Sequence, residues 1–450
     1  MAKKPVTKNL NANSVEILNA IRSNASNTYR EFVPLATPDA ESIRSVGSVL
    51  REYVALQNEF LTALYNRIIK TIIISKLWNN PLSVFKRGML EYGETIEEIF
   101  VNIAHAHEYD PEKAESEVFK REIPDVRAAF HYLNYKKFYK ATIQENDLNQ
   151  AFLSIDGVTD LIAKIVDAMY TAANYDEYIT TKYMLAKALI EGRIKVNSVD
   201  LTKPSDVVKT IKYISNDMEF LSGKYNEEGV MNAASKQEQY IMINAEFDAT
   251  MDVDVLASAF NMEKADFIGK RVLFDGFTFD NARLIELFGE DFTPFTDAEL
   301  ALLADIPVII IDDNYFMIYD YEQKFTEDYN GQGLYWNYWL HRWVVFSTSP
   351  FANAACFVDG TPSVTSVVVS PETATVAPGG TAQFSATVST EYFAPKSVVW
   401  SITSAVEGAT IDQTGLLTIP SDFAGESLTV TATSTFDDSK YDTAAVTISS

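Results

Sequence analysis

The sequence predicts an α+β body followed by a separate all-β sandwich, and three observations carry that expectation. The run Thr159–Glu191 keeps one helical period longer than any other stretch. Ahead of it, strand-like segments frame a charged excursion too polar to bury itself. After Val358-Asp359-Gly360-Thr361-Pro362 the composition turns to Thr, Ser, Val and Ala, with short strands at regular intervals.

Residues 1–69 are expected to form an N-terminal arm with short helices, of which Val49–Ile69 has the best apolar spacing. Pro34 and Pro38 break the segment before it. Residues 70–145 read as an extended two-stranded loop with flanking strands: KTIIISKLW is β-branched, and Asn79, Asn80 and Pro81 bring turn chemistry. Thr95–Ala104 and Val126–Ile143 then bracket HAHEYDPEKAESEVFKRE. A thin two-stranded arm has to lie on something else. Its charged alternation (Glu97, Glu98, Glu112, Lys113, Glu115, Glu117, Lys120, Arg121) makes little sense on an isolated monomer, so inter-subunit contact is expected from about Gly93 to Arg121.

Residues 146–360 form the main body, with the long helix at 159–191 and a mixed α/β subdomain over roughly 194–320. Leu161, Ile162, Ile165, Val166, Met169, Tyr170, Ala173, Tyr178, Met184, Leu185, Ala188 and Leu189 recur at three- and four-residue spacing. Thr159 or Asp160 can cap the start, and Gly192 stands where a left-handed cap would end it. At 1.5 Å per residue the helix is roughly 50 Å long, a strut across a flat body. Ile165 and Met169 are expected in the core, whereas Glu177 is expected to matter only if its side meets a neighbour. Ser235–Asp248 reads as helix then strand, and Val253–Phe260 as helix. PVIII is a buried strand delivering Asp312 and Asp313, followed by the strand YFMIYD. In LYWNYWLHRWVVFSTS both faces are apolar, which predicts a central strand with Trp336, Trp339 and Trp343 as core. Residues 363–450 make the sandwich, with Trp400 in its core.

Sixty-two acidic residues against 37 basic ones give a formal charge of -25, which argues against an electrostatic grip on nucleic-acid phosphates. No stretch reaches the length needed to span a bilayer, and the first residues lack the apolar run of an export signal. Cys356 is the only cysteine, so no disulfide forms within the chain. Synthesis in the cytosol fits these features.

The search for chemistry returns no catalytic, cofactor or metal residue. Asp312 and Asp313 resemble a Mg²⁺-holding strand end, but no phosphate loop accompanies them, and two carboxylates opening a turn is the better reading. His105 and His107 have strand spacing without further ligands; His131 and His341 lie in aromatic surroundings and read as packing residues. Tyr335, Trp336, Tyr338, Trp339 and Trp343 could stack a sugar, but no carboxylate pair suits glycoside chemistry, and core packing is favoured. An enzyme is not expected.

The chain resembles the major capsid proteins of small podoviruses of the Picovirinae type, which use the Hong Kong 97-type capsid fold. The resemblance is densest at ILNAIRSNASNTYREFVPLAT, WNNPLSVFKRG, GETIEEIF, VFKREIPDV, DVDVLASAFNMEKADFIG and from GLYWNYWLHRW through SPFANAACFV. The tail, with VAPGGTAQFSATV, Trp400, IDQTGLLTI and LTVTATS, is similar to the bacterial immunoglobulin-like group 2 module. The resemblance implies a spine helix in a peripheral domain, an extended loop lying on the next subunit, and an axial domain at the capsomer centre. It implies no catalytic residue and no cofactor. Implied partners are further copies of the chain in hexamers and pentamers, a scaffolding protein, the portal or connector and head fibres, around double-stranded DNA held without sequence-specific contact. The virion shell is the implied location, icosahedral or prolate, with the immunoglobulin-like domain outside. A bacterial surface or polysaccharide-acting protein carrying the same module is the competing reading; small monodisperse particles with no rings, tubes or shells in negative stain would favour it.

Overall fold

The computed structural model of the chain describes residues 14–72, 78–91, 95–107, 109, 121–144, 151–152, 160–161, 164–165, 167–250, 271–404 and 408–449. Four helices open it: α1 (Ser14–Asn24), α2 (Asn27–Phe32), α3 (Ala40–Glu52) and α4 (Val54–Ile72). Ser26 and Asp39 start α2 and α3 by accepting the Tyr29 and Ser42 amides, as N-cap side chains do. The helix expected over Val49–Ile69 is divided at Tyr53, whose extended backbone ends α3. Lys70–Ile72, read as the start of a strand, continue α4 because helix propagation outweighs β-branched preference there.

Next come a 3-10 turn at Pro81–Phe85 and strands β1 (Lys86–Met89), β2 (Ile96–Val101), β3 (Val126–His131) and β4 (Tyr135–Gln144). Asn80 caps the turn by accepting the Leu82 amide at 2.8 Å. β2 and β3 pair antiparallel as a hairpin, the arm. After the spine helix follow β5 (Lys195–Val199), a helix at Pro204–Asp217, β6 (Gln239–Asn244), a helix at Ala245–Thr250, β7 (Arg271–Phe274) and helices at Asn281–Phe288 and Asp297–Ala304. Thr296 and Glu299 form a full capping box on the last of these. β8 (Val308–Asp312), β9 (Phe316–Asn330), β10 (Tyr335–Thr348) and β11 (Ala354–Asp359) complete the body. The helix expected over Val253–Phe260 lies outside the described residues.

Two sheets organise these parts. One has the order β1-β9-β10-β4, so β10 is central, as its two-sided apolarity predicts. The other has the order β5-β11-β8-β6-β7 and is covered on both faces, which is why all five residues of β8 are buried. The N-terminal helices do not project as an arm. They pack on one face of the first sheet, where Ile43, Phe60 and Leu64 meet Tyr139, Ile143, Trp336, Tyr338 and Leu340.

The spine helix runs between the two cores. Asp160, Leu161, Lys164 and Ile165 are helical, Asp167–Thr171 wind as one π turn, and Ala172–Ile190 continue as α-helix. Ile165 and Met169 are buried, as expected. From Asp176 to Lys182, however, every residue is buried, so the helix is central there and not amphipathic. Its end matches the expectation: Gly192 has φ +72°, its amide donates to Leu189 and the Arg193 amide donates to Ala188. These two bonds are the Schellman pattern that glycine permits.

The sandwich comprises β12 (Ser363–Ser370), β13 (Thr373–Val376), β14 (Thr381–Gln383), β15 (Ser385–Glu391), β16 (Val398–Ser404), β17 (Thr410–Ile411), β18 (Leu416–Thr418), β19 (Ser427–Ser434) and β20 (Tyr441–Ile448). Its largest sheet runs β13-β20-β19-β16, and Trp400 is buried in its core with Phe384, Leu417 and Val430.

Candidate assembly interface

The spine helix holds the body together through three buried charges. Asp176 is fully buried and accepts Nε and Nη2 of Arg283, each at 2.7 Å, as a bidentate pair. It also accepts the Tyr139 hydroxyl at 2.7 Å, which is bonded in turn to Tyr135. Burial pushes both phenols well above the usual tyrosine range. Glu177 accepts Lys86 Nζ at 2.8 Å, Arg342 Nη2 at 3.0 Å and Asn80 Nδ2 at 3.2 Å. Expected to face outward, Glu177 is instead the point where the helix grips β1, β10 and the 3-10 turn. Lys182, 1 % exposed, donates to Asp275 and to the carbonyls of Gly276 and Thr278; burial lowers its pKa and Asp275 opposes that shift. A buried charge survives only with such partners.

The arm is half anchored and half bare. Its inner side is tied to its own body: Glu98 accepts the Ser349 hydroxyl at 2.7 Å, His131 meets Ser347 at 2.7 Å, and Arg127 donates to the Glu228 carbonyl at 2.6 Å. Phe100 packs on Phe351 at 5.6 Å between ring centres. Strand alternation sends Ile99, Val101, Val126 and Phe130 to the opposite side, where each is more than half exposed. Of the expected contact residues, Glu97 lies on that bare side and Arg121 is exposed. Glu98 faces the arm's own body and is not free for a neighbour. Glu112, Lys113, Glu115, Glu117 and Lys120 lie outside the described residues. Among the described residues, the open side of β2 and β3 carries Ile99, Val101, Val126 and Phe130 beside Glu97.

The three tryptophans of β10 separate by face. Trp336 is buried against Tyr329 and the N-terminal helices. Trp339 and Trp343, expected in the core, are half-buried on the other face because odd and even positions of a strand point oppositely. Lys140 stands over the Trp339 ring at 5.9 Å and Lys136 over Trp343 at 5.5 Å.

The sandwich is seated on the body. Tyr392 and Phe393 both have positive φ, at 49° and 59°, a region side chains rarely adopt. Phe393 is 4 % exposed and belongs to the body's core, whereas the adjacent Ala394 belongs to the sandwich core. A Cβ added at Gly192 would lie 2.7 Å from the Ala394 carbonyl oxygen, and one at Gly360 would fall inside the Tyr392 ring. A cleft of about 560 Å³ lies beside this joint, between Arg193, Lys195 and Glu227 of the body and Lys396 of the sandwich.

The chemical candidates resolve as turns and packing. Asp312 opens its turn by accepting the Asn314 amide, and burial pushes its pKa up to about 7. His131 is buried between Ser347 and Glu98, while His107 pairs with Glu122 on the arm. Cys356 is buried, and burial pushes its thiol up. Among the described residues no group of three or more His, Cys, Asp or Glu could hold a metal ion, and no helix is long and apolar enough to cross a membrane.

The body, with its central helix, two mixed sheets and hairpin arm, has the Hong Kong 97-type capsid fold. The Staphylococcus phage Andhra capsid structure shares this fold, with a TM-score of 0.51 at 17% identity over 64% of this chain and 86% of that one. Residues 18–358 match the Phi29-like phage major capsid protein family, and residues 363–444 match the bacterial Ig-like domain (group 2). The major capsid proteins of Bacillus phages B103 and PZA are 38% and 34% identical, each alignment covering 93% of this chain and 90% of the relative. The chain belongs to the Phi29-like phage major capsid proteins and is a structural protein of the virion shell.

Proposed function

We propose that the chain assembles through its arm, with copies closing into hexamers and pentamers and these into an icosahedral or prolate shell around double-stranded DNA. The observation that supports this most directly is the bare side of the arm, where Ile99, Val101, Val126 and Phe130 stay open to solvent in the isolated chain. Heterologous contacts of this kind, repeated by symmetry, close rings. The high acidic charge fits enclosure of DNA without a grip on it. A scaffolding protein, the portal or connector and head fibres are the further partners of this reading. The sandwich, carried at the far end of the chain, stands on the outside.

Deleting Gly93–Arg121 tests the reading: the shortened chain is expected to stay unassembled in sedimentation and negative stain. Shells of normal yield and stability from that chain would defeat it.

A further inference from the structure

A cavity of about 610 Å³ opens beside the carboxyl ends of the parallel strands β6 and β7, and no residue of the arm or the sandwich lines it. Phe277, Phe279, Leu300 and Ala304 give it apolar walls, and Glu246 and Asp275 stand in its lining, which contains no lysine or arginine. Glu246 is exposed and makes no ion pair among the described residues. Asp275 commits one oxygen inward: Oδ1 accepts the Tyr178 hydroxyl at 2.6 Å and Lys182 Nζ at 2.5 Å. Its Oδ2 has no partner among the described residues, and the side chain is 59 % exposed. Lys182 thus neutralises one of the two carboxylates, and the cavity keeps one unmatched negative charge. The loop that carries Asp275 is fixed in place, because Lys182 also donates to the carbonyls of Gly276 and Thr278, so the cavity is formed before anything enters it.

We propose that this cavity binds a small organic cation, an aromatic body carrying an ammonium group. Its size points to a whole small molecule: about 610 Å³ falls within the ~300–1,000 Å³ of small-molecule sites, and a single side chain of a neighbour would not fill it. The walls set the body of the ligand, since phenylalanine rings bury apolar area and favour tilted or edge contacts with another ring. The carboxylates set its head. Glu246 and the free oxygen of Asp275 accept from an N–H donor, and a cation drawn out of water needs such a counter-charge. An anion of the same shape would meet a like charge with no lysine or arginine in the lining to receive it. Because Lys182 of the spine helix holds the loop that the ligand would fill, an occupied cavity ties that loop to the helix at Asp297–Ala304 and stabilises the subunit by mass action. The site is independent of how copies meet through the arm.

Methyl-labelled NMR of the free, full-length chain titrated with phenethylamine tests the site, with phenethyl alcohol and 3-phenylpropanoate as neutral and anionic counterparts. The amine is expected to shift the Leu300 and Ala304 methyls saturably and to raise the melting temperature. It should bind about fivefold more tightly than the alcohol, as a charge-assisted hydrogen bond exceeds a neutral one, and the carboxylate should leave these methyls unmoved. Glu246→Gln, at a carboxylate with no ion-pair partner among the described residues, should weaken the amine about threefold and spare the alcohol. Ala304→Trp, at an exposed position, should occupy the cavity and abolish binding while keeping the melting temperature of the free chain; if that variant fails to fold, the methyl shifts of the unaltered chain decide alone. Equal affinity for amine and alcohol, shifts centred on other methyls, or no saturable binding up to about 10 mM amine overturns the proposal. Binding to free chains that vanishes in assembled shells overturns the small-molecule occupant in favour of a basic side chain of a second copy.

Discussion

Glu177 shows how much can hang on one carboxylate. Replacing it with Ala leaves Lys86 and Arg342 with Asp320 alone as counter-charge, at 2.9 and 3.5 Å, and losing these charge-assisted bonds costs about 1.5–3 kcal/mol. Urea unfolding of Glu177→Ala should show that loss, and a change below about 1 kcal/mol, the level of a surface ion pair, would disprove the grip described for it. Asp312 makes a different residue-scale prediction. Its folded pKa, about 7, lies above the ordinary carboxylate value of 3.8, so below the lower value both folded and unfolded states hold the proton. As pH rises between the two values the unfolded state loses its proton first, and stability falls. Asp312→Asn should flatten that decline between pH 4 and 7, measured by thermal melts across the range, and an unchanged pH profile would remove Asp312 as its cause. Neither effect was legible beforehand. A helical period reports which residues are apolar, and it assigns charged residues outward by default; only the positions of Arg283, Lys86 and Arg342, far away in sequence, reveal that Asp176 and Glu177 turn inward.

Among the elements, β10 and the spine helix were the most legible, since long runs of one period leave few alternatives. The central position of β10 followed from its two apolar faces. What the period could not say is that only one face is finished within the chain, because an uncovered Trp339 and a buried Trp336 look the same in a string of letters. The Tyr392–Phe393 loop was invisible for the same reason: nothing in the string of letters marks Phe393, inside the sandwich segment, as a residue of the body's core. Truncating Phe393 to Ala should cost about 3–5 kcal/mol, the range for a buried aromatic. In calorimetry the unaltered chain is expected to melt body and sandwich together and Phe393→Ala to separate them; two separate transitions in the unaltered chain would refute the coupling.

For the whole molecule, the joint changes what removal of the sandwich should do. Its continuous composition and own core make it separable in sequence, and deletion of Ser363–Ser450 is still expected to leave a chain that forms shells. Those shells should disrupt at lower temperature, because the site of Phe393 is opened to water. Equal melting would reduce the module to a passenger, and failure to assemble at all would make it a structural necessity. Gly192 adds a constraint on inheritance. The same residue ends the spine helix in a left-handed turn and leaves the space that Ala394 and Pro395 occupy, so one position answers to two domains. A module exchanged between such proteins cannot be cut at the linker alone: the graft takes only if the recipient already carries glycine at 192 and at 360, and lineages that lost either would have shed the sandwich or re-angled it.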